Sequence, residues 1–237
     1  MTGFEKAAAK PLLDELKELY LGLYKDENAF GYFLQMLEKN DRERRPALRR
    51  LDQKRSGGAP WYHANDVTGM MLYIQNFGGT IKEAKKNLPY LEECGINYLH
   101  LMPLLDSTKG KSDGGYAVSD FRKVRPSFGT MEDLEDLADA CHEKGISLCF
   151  DFVLNHTSDE HAWAKAARAG DPAAQSRFFM YDNWEIPNMY EATVPQVFPT
   201  TAPGNFTWCD EIKKVVMTTF FISSHHVKFP GAVVGNT

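Results

Sequence analysis

The sequence has few cysteines, no excess of positive charge and no long apolar run, and each of these shortages excludes a class. Its four cysteines, Cys94, Cys141, Cys149 and Cys209, show no Cys-x-x-Cys spacing, which argues against a zinc ribbon or a disulfide scaffold and predicts reduced, buried thiols. A net charge of -5 offers no general attraction for nucleic acid or an anionic membrane. The basic cluster over residues 42–55 is interspersed with Glu43 and Asp52 and lacks interleaved aromatics, so it reads as a solvated helix face. The apolar runs are strand-sized, too short to span a bilayer. The first twenty residues mix charge with leucine and contain no signal-type apolar segment, which gives a cytoplasmic expectation. Repeats and low-complexity tracts are absent.

What remains is an ordinary globular composition, 43 % hydrophobic over 237 residues, enough for one large core or two small domains. Up to about residue 55 the pattern is helical, with Leu12, Leu13, Leu16, Leu19, Tyr20 and Leu23 recurring at threes and fours and Pro46 suited to a helix start. Ser56-Gly57-Gly58-Ala59-Pro60 is the strongest linker signal. Beyond it the period changes. Residues 69–77 and 96–101 read as buried strands, and 146–153 as a third. Between the first two, Thr80 opens a helix that Gly95 ends, with Pro89 kinking or restarting it. Thr130 caps a second helix that Gly145 stops, after a loop over residues 106–127. Strands alternating with helices over short connections imply parallel strands with right-handed crossovers.

Two motifs carry chemistry. In Asp151-Phe152-Val153-Leu154-Asn155-His156, a lone carboxylate sits in an apolar run, so Asp151 needs a cationic or hydrogen-bonding partner. Asn155 and His156 then leave the carboxyl end of the strand, where parallel α/β folds bind ligands. In Ser112-Asp113-Gly114-Gly115-Tyr116, two glycines permit a sharp turn close to a ligand and Tyr116 presents a rigid aromatic face. Sugars combine apolar CH faces with a ring of hydroxyls, and a stacking aromatic beside a carboxylate and an imidazole suits them.

Together these motifs resemble the conserved regions of glycoside hydrolase family 13, the α-amylase superfamily, and most closely its amylosucrase-like members. Tyr98-Leu99-His100-Leu101-Met102-Pro103, Phe128-Gly129-Thr130-Met131 and Ala202-Pro203-Gly204-Asn205-Phe206-Thr207 support the resemblance. Ala117-Val118 after the tyrosine looks more like amylosucrase than the α-glucosidase and trehalose-synthase branch. The resemblance implies an α/β fold, an incomplete (β/α)8 barrel of about three strands preceded by a helical region. Its divisions are 1–60 helical, 61–157 first part of the barrel, 158–220 a loop subdomain after the third strand, and 221–237 an unmatched tail. It also implies that Asp113 binds the outer hydroxyls of a glucosyl unit, Tyr116 stacks under the ring, His156 contacts the 6-hydroxyl and Phe198 lines the pocket. Asp151 would brace an arginine of the family's second region. Asn155 matches a calcium ligand of many α-amylases, but amylosucrase-like members are not expected to use calcium, so neither metal nor cofactor is expected.

The family retains anomeric configuration with an aspartate nucleophile and a glutamate acid/base. No Gly-x-Arg-x-Asp pattern follows His156 and no His-Asp dipeptide occurs, so no catalytic residue is assigned. The tail with its paired His225-His226 reads as a truncation or reading-frame artefact rather than a metal site. The first expectation is therefore the amino-terminal part of a sucrose- or α-glucan-acting glucosyl-transferring enzyme, inactive alone, with a second polypeptide able to supply the remaining barrel. An α-glucosidase or trehalose-synthase-like member, and a non-catalytic sugar- or partner-binding fragment, stand beside it.

Overall fold

The computed structural model describes residues 10–110, 112, 114–197, 199–200, 203–218 and 224–226. They fall into two compact units that divide between Asn65 and Asp66.

The first unit is helical. Helix α1 (Lys10–Tyr24) leads to α2 (Glu27–Glu43), which Asp26 caps by accepting from Ala29 N–H at 2.9 Å, and then to α3 (Pro46–Arg55), with the proline in its first turn. The apolar face expected of α1 is only partly used. Leu12, Leu19 and Leu23 stay exposed, while Tyr20 turns inward to stack on Phe33 and tilt against the buried Phe30. Two arginines of the basic cluster are charge-paired between the end of α2 and α3, Arg44 with Asp52 and Arg49 with Asp41. These exposed pairs add little stability, but they offset part of the positive charge.

The second unit is built on one repeated local plan. Strand β1 (Gly69–Leu72) is followed by a short helix α4 (Ile74–Phe77), then α5 (Ile81–Lys86) and α6 (Leu88–Glu93), and then by β2 (Tyr98–Leu101). Thr80 caps α5 by accepting from Glu83 N–H at 3.2 Å. The expected single helix is two, because Asn87 leaves helical geometry just before the turn that holds Pro89. Gly95, at φ +70°, ends α6 in a Schellman turn in which Ile96 N–H donates to the Leu91 carbonyl and Gly95 N–H to that of Glu92, both at 2.9 Å.

A hairpin of β3 (Leu105–Ser107) and β4 (Val118–Val124) then leads to α7 (Met131–Glu143) and β5 (Ser147–Phe150). Thr130 and Asp133 form a reciprocal capping box at the start of α7. Gly145, at φ +72°, repeats the Schellman stop, with Ile146 N–H on the Cys141 carbonyl at 2.8 Å.

These strands form a parallel sheet in the order β1-β2-β5, with Leu72 opposite Leu101 and Leu101 opposite Phe150. Leu99 and Leu101 of the central strand face the helices and pack with Ile81, Leu88, Leu91 and Leu137 in the main core. Tyr98 and His100 point to the opposite face.

Several boundaries differ from the sequence expectation, each because pairing rather than hydrophobicity ends a strand. The apolar run over residues 69–77 is strand only to Leu72, where β2 also stops, and then turns helical. The run over 146–153 is strand only from Ser147 to Phe150, and all four residues are half-buried because β5 lies at the sheet edge. The expected loop over 106–127 contains the β3–β4 hairpin. Of the four thiols, all free, Cys141 alone is buried; Cys149 and Cys209 are half-buried and Cys94 is exposed.

After β6 (His156–Ser158) comes helix α8 (Ala162–Arg168), followed by α9 (Pro172–Gln175), β7 (Met180–Tyr181), α10 (Glu185–Glu191), β8 (Phe206–Cys209) and β9 (Lys214–Met217). The aromatic and proline-rich passage is thus organised around an antiparallel sheet in the order β7-β9-β8. Residues of the tail form β10 (Ser224–His226), whose backbone pairs antiparallel with β6 and sets His226 opposite His156.

Candidate functional site

The parallel order of β1, β2 and β5 sends their carboxyl ends to one edge, and the polar residues gather there. His100 lies on β2 with Cys149 as its register partner on β5, and Asp151 follows two residues later. His100 Nε2 and Asp151 Oδ1 are 2.8 Å apart. An ionised carboxylate only accepts, which places a proton on that nitrogen. The second oxygen, Oδ2, accepts from the Tyr116 hydroxyl, also at 2.8 Å. Asp151 therefore has both oxygens engaged by this chain's own side chains, one from β2 and one from the β3–β4 loop. The phenol of Tyr116 is pushed up to about 12, first by burial and then by this hydrogen bond to a carboxylate.

Tyr116 itself is held by its loop. Gly114 and Gly115 have φ of +60° and +97°, left-handed conformations that a side chain would strain. At Gly115 a Cβ would also run into the Arg125 guanidinium and would lie 3.2 Å from Pro103 Cβ. Arg125 is partly buried beneath the turn, donating from Nη2 to Ser107 Oγ at 2.7 Å and lying 4.7 Å over the Phe128 ring. Burial pulls its affinity for the proton down, offset by the nearby Asp106. Ser112 Oγ accepts from Ala117 N–H at 2.9 Å and closes the loop on the other side.

His156 is buried at the start of β6, and its ring donates to the Tyr116 carbonyl. Its Nδ1 lies 3.2 Å from the Asn155 side-chain nitrogen, which can only donate. Burial is the larger influence and lowers the imidazole pKa, while the carbonyl contact raises it, so His156 is held toward the neutral form.

The structure thus joins Tyr116, Asp151, Asn155 and His156 in one network. Asp113 and Phe198 lie outside the described residues. Asp151 hydrogen-bonds a tyrosine and a histidine of this chain; the arginine that the resemblance gives it as a partner belongs to a family region that this sequence does not show. His100 and Arg125 received no role from the sequence. The available signal was a histidine within an otherwise apolar strand, two residues short in register of a buried-run carboxylate. Among the described residues no group of three or more His, Cys, Asp or Glu could hold a metal ion, and no helix is long and apolar enough to cross a membrane.

Comparison with known proteins places this network in context. Residues 25–229 match the family described as Alpha amylase, catalytic domain. A trehalose synthase of Pimelobacter sp. (strain R48) is 35% identical over 135 residues, which is 56% of this chain and 23% of the relative. A glucan 1,6-alpha-glucosidase of Streptococcus dysgalactiae subsp. equisimilis is 34% identical over 128 residues, 51% of this chain and 23% of the relative. A mutant of MutB crystallised with the substrate sucrose superposes with a TM-score of 0.61 at 26% identity, covering 73% of this chain and 31% of that one. The chain therefore spans about a quarter to a third of the length of these relatives.

Proposed function

The chain belongs to the α-amylase catalytic-domain family, and from that premise we propose that the Tyr116–His156 network grips a glucosyl unit of sucrose or an α-glucan. The convergence of Tyr116 and His156, through the Tyr116 carbonyl and the Asp151 carboxylate, is the observation that carries this reading. Tyr116 is 37% exposed, enough to offer a ring face to the CH side of a sugar, while its hydroxyl stays anchored. His156 fixes the backbone under that ring. A sugar 6-hydroxyl reaches its Nδ1 by taking the place of the Asn155 amide. Asp113 and Phe198 complete the pocket as the outer-hydroxyl ligand and a wall.

Asp151 acts as a brace and not as a nucleophile, because both its oxygens are already hydrogen-bonded. Retaining cleavage uses two carboxyl groups about 5 Å apart, and this reading assigns them to further barrel strands, within a longer chain or on a second polypeptide. The complete assembly would transfer or hydrolyse a glucosyl unit through a covalent intermediate. The Ala117-Val118 pair favours an amylosucrase-like donor, sucrose. The trehalose synthase and glucosidase relatives support an isomerising or hydrolysing member of the same family equally well.

Isothermal calorimetry of the 237-residue chain with sucrose and maltose tests the proposal. Saturable binding that Tyr116→Ala removes, without release of glucose or fructose, is the expected result. Absence of any Tyr116-dependent heat, or turnover by the chain alone, overturns it.

A further inference from the structure

A cavity of about 270 Å³, lined by polar and apolar side chains, lies outside this network. Its floor is one face of the β8–β9 pair, where Thr207 and Thr218 share a hydroxyl contact at 2.7 Å and Cys209 follows along the strand. Asp159, Arg168 and Glu211 line its sides. The Cys209 thiol donates to Glu211 Oε2 at 3.2 Å, and hydrogen bonds from its own backbone N–H and from Cys209 hold the Glu211 carboxyl below its ordinary range, with a smaller contribution from the Arg168 charge. Trp208 lines the same cavity, and its indole N–H donates to Asp210 at 3.0 Å, which fixes the ring.

The lining selects by chemistry. Two carboxylates against one guanidinium disfavour an anion, and the guanidinium disfavours a metal cation, for which no ligand group is present among the described residues. Threonine hydroxyls and carboxylates disfavour a wholly apolar guest, while Val216 and Trp208 offer apolar surface to a CH face. A neutral polyol suits all of them: its hydroxyls donate to Asp159 and Glu211 and accept from Arg168 and the threonines. Pockets for drug-sized ligands run from about 300 to 1,000 Å³, so this one suits a single sugar ring rather than a chain end of several. Asp159 directly follows β6, three residues after His156, so one strand serves both places.

We infer that this cavity is a second glucoside-binding subsite, holding one neutral pyranose ring between the β8–β9 sheet and α8. The choice of sugar rests on the reading of the Tyr116 network as glucoside-binding; the cavity itself does not.

Cys209 makes the inference testable site by site. The full chain is alkylated with iodoacetamide at a fixed alkaline pH with and without maltose, and each cysteine is followed by peptide mass spectrometry. Exposed Cys94 is the unprotected control, and buried Cys141 reports unfolding. At a maltose concentration about ten times its Kd, Cys209 alkylation slows about tenfold, because only unoccupied protein reacts. Protection persists in Tyr116→Ala and is lost in Glu211→Gln and Thr207→Val. Should either of these two variants expose Cys141, Arg168→Lys takes its place. Unchanged Cys209 reactivity in the wild type overturns the inference, even where Tyr116-dependent binding is intact. Loss of protection in Tyr116→Ala overturns it too, since the effect then comes from the first site. Protection by inorganic phosphate in place of maltose overturns the neutral-ring assignment.

Discussion

His100 and Asp151, 51 positions apart in the chain, meet at 2.8 Å across the end of two neighbouring parallel strands. The contact turns a sheet register into a side-chain geometry, because it exists only while Leu101 stays opposite Phe150. It also leaves the far oxygen of Asp151 aimed at Tyr116.

Replacing Asp151 by Asn removes the negative charge that holds the Tyr116 phenol in its neutral form. The phenol then ionises at lower pH than the present value of about 12, though still above an exposed tyrosine because burial persists. Ultraviolet difference titration against Tyr116→Phe, which identifies the band, measures the change. An unchanged profile would mean the hydrogen bond has no hold on the phenol.

His100→Ala removes a hydrogen bond to a charged group. Such bonds contribute about 1.5–3 kcal/mol, and at this partly exposed position solvent screening brings the expected loss below that range, to about 1 kcal/mol, read as a shift in the urea midpoint. Weaker Tyr116-dependent glucoside binding should accompany it, because Asp151 is then held by the Tyr116 hydroxyl alone.

The pH dependence of stability follows from His156. Its folded pKa lies below the ordinary 6.5, so the unfolded chain takes up the proton first. Stability from this group is complete above pH 6.5 and declines as pH falls below that value toward the folded pKa. His161, also lowered by burial, acts in the same direction. Urea midpoints measured between about pH 7.5 and 5.5 should fall, and His156→Gln should flatten part of the slope. Carboxylates lose their contribution lower, around pH 4, which separates the two effects.

Two glycine substitutions contrast conformational strain with collision. At Gly145 a Cβ meets nothing within 4 Å, so Gly145→Ala carries only the cost of its φ of +72°, about 1–2 kcal/mol. At Gly115 the same change adds a clash with the Arg125 guanidinium and Pro103. Gly115→Ala should therefore cost more in stability and also displace Tyr116. Chemical denaturation ranks the pair, and calorimetry with maltose registers the displacement.

Local signals were legible in the sequence and long-range ones were not. Thr80, Thr130, Gly95 and Gly145 mark helix ends because capping and Schellman bonds join residues a few positions apart. Strand ends at Leu72 and Phe150 were overrun, since an apolar run does not say where its partner stops. The β3–β4 hairpin was hidden by two register shifts, which break the alternation that would reveal it. Of the network, Tyr116 and His156 stand in motifs that the sequence displays. His100 and Arg125 were not legible as members, because each acquires its role from a residue or turn that only the fold brings near.

The shared direction of β1, β2 and β5 sorts this unit's junctions into two kinds. Those entering the strands are the glycine stops at Gly95 and Gly145, and substitutions there should change melting behaviour while leaving ligand affinity alone. Those leaving the strands bear Tyr73, Met102 and Asp151, so the same size of change there should alter affinity at the proposed glucosyl grip as well as stability.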